Sequence, residues 1–335
     1  MGRDVAYATG WGVVRLLPSP VADTLFAVGA DVAARRAGPR ARQLRCNLAR
    51  VVPQAGPNEL DELTRKALRS YGRYWQEIFR LPAVDRDEIC RKVDAGIDGV
   101  DNLTAALADG RGAVLALPHS GNWDVAGLWL ANRVGRFTTV AERLRPESLY
   151  RRFVRFRESL GFEILPLASV ASYRTLRERL RANRVVCLVA DRDLTAAGID
   201  VTFFGERTRM PGGPARLAAD TGAALLPVGS WFTDSGWGFR VHPRIRVDSR
   251  DEVAAATQLL ADCFAGDIAA HPADWHMLQR LWLADLDDPD AIPPVGGREV
   301  AAGDGGDGQQ AAGHSRETAG RADLDEPHVG EPGPP

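Results

Sequence analysis

The sequence has little lysine, little cysteine and no long uninterrupted apolar run. Lys66 and Lys92 are its only lysines, so arginine carries nearly all of the positive charge, and the formal net charge of −2 gives no indication of nucleic-acid binding. The four cysteines lie far apart without a Cys-x-x-Cys pair, which indicates a reducing compartment and argues against a structural zinc site. No stretch reaches the roughly 18 to 20 apolar residues that span a bilayer.

Residues 1–58 combine apolar stretches with clustered arginine. Val5–Leu17 and Val21–Ala34 are mostly apolar, and the segment lacks the charged start and the cleavage site of a secretory signal. An apolar helix followed by arginines is typical of a segment on an anionic membrane surface. A helical hairpin that caps the main domain explains the same pattern, and the two interpretations are compatible. The arginines that follow are Arg35, Arg36, Arg40, Arg42 and Arg45.

Residues 59–286 alternate between helical and strand patterns with short connections. This alternation predicts an α/β domain with a central, largely parallel sheet flanked by helices. Residues 287–335 are rich in Gly, Pro and acidic residues with almost no large apolar side chain, so we expect them to be disordered. The predicted helices cover 59–79, 101–109, 123–132, 146–160, 169–182, a stretch after Pro214 and 251–270, and the predicted strands cover 112–118, 137–141, 162–165, 185–190, 201–204, 224–228 and 238–247.

The most informative segment runs from His119 to Asp124 and reads His-Ser-Gly-Asn-Trp-Asp. It directly follows the apolar run 112–118, which is closed by Pro118 and predicts a buried strand. Open α/β sheets place their ligand crevices at the carboxyl ends of strands. An imidazole there can take the proton of an alcohol that attacks an acyl carbon, and a helix starting after it can offer N–H groups to the oxyanion. A histidine held by a purely structural hydrogen bond is the alternative.

Two carboxylates can orient this imidazole, since a neighbouring acid fixes which ring nitrogen carries the proton. Asp124 is near His119 in the sequence, and Asp193 follows the predicted strand 185–190. The residues alone leave this choice open. A hydrolytic or thiolytic serine enzyme is disfavoured because the chain has no Gly-x-Ser-x-Gly nucleophile elbow.

The same segment resembles the signature of the lipid A late acyltransferases, the lauroyl/myristoyl acyltransferases, within the glycerolipid acyltransferases that carry a His-x4-Asp motif. The similarity covers about residues 5–286, and the arginine-rich composition together with the order of the blocks is most similar to the mycobacterial branch that acylates phosphatidylinositol mannosides. The further blocks are Tyr74-Trp75-Gln76-Glu77, Ala141-Glu142-Arg143, Phe156-Arg157 with Gly161, Asp191-Arg192-Asp193, Phe203-Phe204-Gly205, Met210-Pro211-Gly212-Gly213-Pro214-Ala215 and Asp274-Trp275-His276.

The resemblance implies a glycerolipid-acyltransferase-like fold on the cytoplasmic face of the cell membrane, without a metal or a cofactor beyond acyl-CoA as co-substrate. It implies transfer of a long acyl chain, typically palmitoyl, to the 6-hydroxyl of the mannose on the inositol 2-position of a mannosylated phosphatidylinositol. A lipid A precursor or a lysophospholipid as acceptor, and a non-catalytic membrane lipid-binding protein, are the alternatives. The oligomeric state is left open.

The resemblance also implies roles for individual residues. His119 is implied as the general base and Asp193, a glutamate in that branch, as its acidic partner. Asp124 then holds the motif loop or a substrate hydroxyl. The residues implied to bind substrate are Glu142, Arg157, Arg192 and Arg209, for which solvated charges or internal ion pairs are the alternative. Trp123 and Trp275 are expected to be packing residues.

Overall fold

A seven-stranded β-sheet forms the centre of the computed structural model, which describes Val14 and residues 17–142, 147–167, 169–194 and 197–287. The strands are β1 (Ile97–Asp98), β2 (Ala113–Leu117), β3 (Phe137–Ala141), β4 (Phe162–Pro166), β5 (Val185–Val189), β6 (Ile199–Phe203), β7 (Glu206–Met210), β8 (Ala224–Phe232) and β9 (Trp237–Val241). The sheet has the order β1-β9-β8-β2-β5-β3-β4, and β6 and β7 form a separate hairpin. All neighbours from β8 to β4 are parallel, whereas β9 is antiparallel to β8.

Helices cover both faces of this sheet. They are α1 (Ser19–Arg36), α2 (Pro39–Val51), α3 (Pro57–Arg80), α4 (Arg86–Gly96), α5 (Val100–Ala108), α6 (Trp123–Val134), α7 (Glu147–Ser159), α8 (Val170–Arg181), α9 (Gly213–Thr221), α10 (Val253–Ala270) and α11 (Leu283–Asp287). Because side chains alternate along a strand, β2 contributes Val114 and Ala116 to the core under α8, α9 and α10. Leu115 and Leu117 enter the second core, under α3 to α7.

The predicted α/β class with a largely parallel central sheet is confirmed. Sequence patterns missed α4, β1 and β7, because short or polar elements carry little periodic signal. The turn between β6 and β7 consists of Phe204 and Gly205, with φ of 50° and 80°. Two central residues with positive φ are typical of the tight turns that match the twist of a hairpin.

The N-terminal helices pack onto the α/β domain. Helix α1 lies against α3, and α2 is tied to the C-terminal part of the domain because Asn47 donates to the carbonyl oxygens of Met277 and Gln279 at 2.7 and 2.9 Å. Arg50 of α2 also forms an ion pair with Asp285, at 2.6 Å. Membrane contact by residues 1–58 stays a prediction, and most of its first apolar stretch lies outside the described residues. The predicted disordered tail lies outside them from residue 288 onward.

One helical segment of the described chain, Arg250–Ala270, has the length and composition of a membrane span. Its α10 portion packs against β6 and β8, with Leu260, Phe264 and Ile268 buried. This packing explains the apolar composition, because a helix that covers a sheet needs a wide apolar face.

Two glycines inside helices are expected to respond in opposite ways to substitution. A Cβ at Gly127 of α6 would overlap the buried ring of Phe162, whereas a Cβ at Gly266 of α10 would meet no atom within 4 Å. We expect Gly127→Ala to lower the free energy of unfolding by about 1–3 kcal/mol through overpacking. Gly266→Ala should raise it by about 0.5–1 kcal/mol through helix propensity. Denaturant titration of both variants tests the packing of α6, and a stabilised Gly127→Ala protein would contradict it.

Candidate active site

His119 lies at the carboxyl end of β2 and contacts the residue at the equivalent position after β5. The two strands are parallel neighbours, with Leu117 opposite Val189, so the residues two positions beyond each strand meet. His119 Nδ1 lies 2.5 Å from Asp191 Oδ1, and the backbone N–H of His119 donates to Asp191 Oδ2 at 2.9 Å. Strand register therefore builds a histidine–carboxylate pair at the edge where α/β sheets bind ligands.

Asp191 is fully buried, and each of its oxygens has a hydrogen-bond donor. Besides the two contacts from His119, the indole Nε1 of Trp275 donates to Asp191 Oδ2 at 3.0 Å. Burial acts to raise the pKa of this carboxyl group, but the charge and hydrogen bonds of His119 and the Trp275 indole outweigh it, so the pKa lies below its ordinary value. Asp191 is therefore an ionised acceptor.

The ionised Asp191 determines which nitrogen of His119 is free to act. A carboxylate can only accept hydrogen bonds, so Nδ1 carries the proton and the lone pair resides on Nε2. The side chain of His119 is 35% exposed, and its ring packs edge-on against Trp123 with centroids 5.7 Å apart. This arrangement gives an oriented imidazole that can accept a proton from a bound hydroxyl group.

A glycine and two hydrogen bonds fix the conformation of the loop that follows His119. Gly121 has a φ of 56°, and a Cβ at this position would overlap Ser230, so only glycine fits. Its N–H donates to the carbonyl of Asp274 at 2.9 Å, and Asn122 caps α6 by accepting from Val125 N at 3.1 Å. The expected supply of free N–H groups at this helix start is thus reduced, because those of Gly121 and Val125 are engaged.

Asp124 forms a buried ion pair with Arg157. Arg157 Nε and Nη2 donate to the two Asp124 oxygens at 2.7 and 3.0 Å, and the hydroxyl of Tyr74 donates to Oδ2 at 3.1 Å. Burial, then the charge of Asp124, raises the pKa of Tyr74, so its hydroxyl stays protonated. These bonds connect α6 to α7 and α3. Asp124 and Arg157 thus come together, but as a structural link between three helices.

The expected pairing of His119 with Asp124 or Asp193 is wrong, because Nδ1 is occupied by Asp191. Asp193 lies beyond the end of β5, where it accepts a hydrogen bond from Gly198 N at 2.8 Å. It lines a cavity of about 260 Å³ together with Arg192. The register of β2 and β5 brings residue 191, two positions earlier, to the ring.

Glu142 and Arg209 lie on exposed parts of the protein. Glu142 follows β3 directly and precedes residues 143–146, which lie outside the described residues. Arg209 is on the exposed face of the β6-β7 hairpin, where Nε donates to Asp200 at 3.0 Å. Whether Glu142, Arg157, Arg192 and Arg209 contact a substrate stays a prediction.

An apolar cavity of about 100 Å³ lies between the sheet and α6, next to the His119 loop. The ring of Trp123 packs against that of His119 and also lines this cavity, so one side chain contacts both the imidazole and the cavity. Helix α6 contributes Trp123, Ala126, Gly127, Trp129 and Leu130 to its lining. Its other lining residues include Leu115, Leu117, Phe137, Phe162, Cys187 and Phe239.

Sequence reasoning missed the roles of Asp191 and Trp275. Asp191 belongs to the block Asp191-Arg192-Asp193 and directly follows the predicted strand 185–190. This position predicts a contact with His119 once the register between β2 and β5 is known. Trp275 was expected to pack in the core, and it is fully buried, but it also donates a hydrogen bond to Asp191. No local sequence pattern predicts this hydrogen bond between Trp275 and Asp191.

The buried Asp124–Arg157 pair is expected to matter more for stability than an exposed pair. Asp124→Asn removes the charge opposite a desolvated guanidinium, and we expect the free energy of unfolding to fall by about 3–5 kcal/mol. The matched control is Asp200→Asn, which disrupts an exposed pair and should leave the unfolding midpoint nearly unchanged. Equal midpoints for the two variants in urea titrations would contradict a structural role for Asp124.

Comparison with known proteins agrees with this architecture. Residues 2–284 match the family model described as bacterial lipid A biosynthesis acyltransferase. A protein of Mycobacterium tuberculosis (strain ATCC 25618 / H37Rv), named phosphatidylinositol mannoside acyltransferase, is 60% identical over 288 residues, covering 84% of this chain and 89% of that protein. A protein of the same name from Mycolicibacterium smegmatis is 58% identical over 287 residues, covering 85% and 93%. The resemblance seen in the sequence is confirmed, and the chain belongs to the bacterial lipid A biosynthesis acyltransferase family.

Proposed function

We propose that this acyltransferase moves a long acyl chain, palmitoyl, from acyl-CoA to a phosphatidylinositol mono- or dimannoside. The acceptor atom is the 6-hydroxyl of the mannose on the inositol 2-position. The acceptor class is supported by the names of the relatives at 58–60% identity. The observation that carries the chemistry is the oriented, part-exposed imidazole of His119, with buried Asp191 on Nδ1 and with Trp123, which lines an apolar cavity, packed against the ring.

The reaction requires two proton transfers, to His119 and from it, and one exchange of bonds. His119 Nε2 takes the hydroxyl proton while the sugar oxygen attacks the thioester carbonyl. The C–O bond forms, the tetrahedral oxyanion collapses and the C–S bond breaks. Asp191 stabilises the imidazolium, which then returns the proton to the thiolate of coenzyme A. General-base assistance of this kind contributes roughly 10²–10⁴-fold to the rate.

The cavity that Trp123 lines suits part of an acyl chain. The side chains that line it are apolar apart from Thr139 and Arg157, which favours burial of methylene groups at about 0.8 kcal/mol each. Its volume of about 100 Å³ is smaller than the roughly 150 Å³ that holds a benzene molecule. A sixteen-carbon chain therefore needs the cavity to widen.

The N-terminal helix offers a surface for a lipid bilayer. Val21, Leu25 and Val28 follow a helical spacing along α1, and each is more than half exposed, while Ala22 and Ala30 are buried. The exposed arginines at the end of α1 and the start of α2 favour anionic lipids. Such a surface brings the enzyme to a membrane-embedded acceptor, on the cytoplasmic face where acyl-CoA is available. Those arginines are Arg35, Arg36, Arg40 and Arg42.

The acceptor is tested by offering radiolabelled palmitoyl-CoA with purified acceptors in parallel. We expect transfer to monomannosylated and dimannosylated phosphatidylinositol, and none to a lysophospholipid or a lipid A precursor. Preferred acylation of a lipid A precursor, which the family description makes the main rival, would refute the proposed acceptor. Tight lipid binding without turnover would identify a non-catalytic protein.

The role of His119 is tested by His119→Gln, which keeps a group able to donate to Asp191 but removes the base. We expect the rate of acyl transfer to fall by roughly 10²–10⁴-fold. The matched control is His242→Gln, since His242 also pairs with an aspartate, Asp267 on α10, at 2.7 Å. The control should transfer palmitoyl at the wild-type rate. Normal turnover by His119→Gln would end the general-base interpretation.

Membrane binding is tested by placing a charge on the exposed face of α1. Leu25→Asp should weaken binding to vesicles that contain phosphatidylinositol by at least tenfold, since burying a leucine contributes about 1.5–3 kcal/mol. Leu259→Asp, at a comparably exposed leucine of α10, is the control and should bind as the wild type does. Equal vesicle pelleting of the two variants would contradict a docking surface on α1.

A further inference from the structure

The segment Asp274–His276 crosses the loop that carries His119. His276 N donates to the carbonyl of His119 at 2.7 Å, and Gly121 N donates to the carbonyl of Asp274 at 2.9 Å. These two hydrogen bonds flank an antiparallel bridge between Ser120 and Trp275. The backbone of Trp275 is therefore fixed relative to the catalytic loop, although the two segments lie far apart in the sequence.

The side chain of Trp275 is fixed as firmly as its backbone. It is fully buried, and its ring packs against Phe203 and Trp282 at centroid distances of 6.0 and 6.1 Å. Its indole N–H reaches Asp191 Oδ2, which also accepts the backbone N–H of His119. With Oδ2 held by these two donors, Oδ1 faces His119 Nδ1 in a single orientation.

A partly buried polar cluster between Ser70 of α3 and the crossing segment holds that segment in place. Ser70 Oγ lies 2.7 Å from Asp274 Oδ1 and 2.9 Å from His276 Nε2, and Asp274 Oδ2 accepts Phe232 N at 2.9 Å. Burial, and then the nearby charge of His119, lowers the pKa of His276 to about 3, so its ring is neutral. The two residues that flank Trp275 are thus both anchored to Ser70.

This cluster has the composition of a Ser-His-Asp triad but the wrong proton arrangement for a nucleophile. The Ser70 hydroxyl donates to Asp274, so His276 Nε2 must donate to Ser70 Oγ and cannot accept its proton. Asp274 contacts the serine, whereas a triad needs the acid on the histidine. The cluster therefore clamps the segment and does not react.

We propose that Trp275 is a positioning residue for the proposed acyl transfer. Held by the Ser70–Asp274–His276 clamp, it orients the Asp191 carboxylate and, through it, the base His119. The inference rests on the proposed function of His119. A base that is misplaced by about 1 Å can lose roughly 10²-fold in rate, so loss of one orienting hydrogen bond has a measurable effect on turnover.

The decisive comparison uses two buried tryptophans that contact each other and Phe203. Trp275→Phe keeps an aromatic ring but removes the donor to Asp191. Trp282→Phe removes an equally buried indole N–H, which donates to the Phe203 carbonyl at 3.0 Å. We expect Trp275→Phe to lower kcat for acyl transfer by roughly ten- to a hundredfold with KM changed less than about twofold. Trp282→Phe should keep the wild-type kcat.

A spectroscopic readout separates positioning from general destabilisation. The proton on His119 Nδ1 should give a strongly downfield ¹H NMR signal, assigned by its loss in His119→Gln. We expect this signal to shift in Trp275→Phe and to stay in place in Trp282→Phe. If Trp275→Phe does not fold, Ser70→Ala is the deciding variant, because it releases the clamp without removing any aromatic side chain. We expect Ser70→Ala to shift the same signal and to lower kcat.

The positioning role would be overturned if Trp275→Phe had an unchanged kcat and an unshifted signal. The same result in Ser70→Ala would overturn it where Trp275→Phe does not fold. Equal losses in Trp275→Phe and Trp282→Phe, with neither moving the signal, would also overturn it. Full activity of His119→Gln would instead refute the proposed function, so the two failures are distinguishable.

Discussion

The buried carboxylate of Asp191 is the interaction on which the rest of the site depends. An unpaired charge in this position would be strongly unfavourable, and it is balanced by the ring and backbone of His119 and by the indole of Trp275. Because three donors converge on two oxygens, the carboxylate has one orientation, and the imidazole it contacts has one tautomer. The parallel pairing of β2 and β5 supplies the geometry, and the segment after α10 completes it.

The two acidic residues Asp124 and Asp191 have different roles. Asp124 neutralises Arg157 and joins α6 to α7 and α3, whereas Asp191 orients the base. The helix that Asp124 anchors also forms a wall of the apolar cavity, so the ion pair with Arg157 helps to hold that wall in place. The His-x4-Asp motif of this protein therefore combines the proposed base with the anchor of the helix that follows it.

The sequence predicted the α/β class and the place of His119, because a continuous apolar run closed by proline is a strong local signal for a buried strand. It could not predict the partner of His119. Proximity favoured Asp124, but α6 begins at Trp123 and directs Asp124 toward Arg157. The similarity to a family favoured Asp193, whereas the register that places Leu117 opposite Val189 selects Asp191. Strands β2 and β5 are apolar along their whole length, so the hydrophobic pattern does not specify the register between them.

The position of the crossing segment Asp274–His276 in the chain affects the order in which the site forms during folding. Asp274–His276 follow every strand of the sheet in the chain, so during synthesis β2 and β5 emerge from the ribosome long before the indole that steadies Asp191. Domains fold largely as their sequence becomes available. A nascent chain can thus form most of its sheet before Trp275 reaches Asp191. His119 therefore gains its final orientation only after the segment that follows α10 has packed.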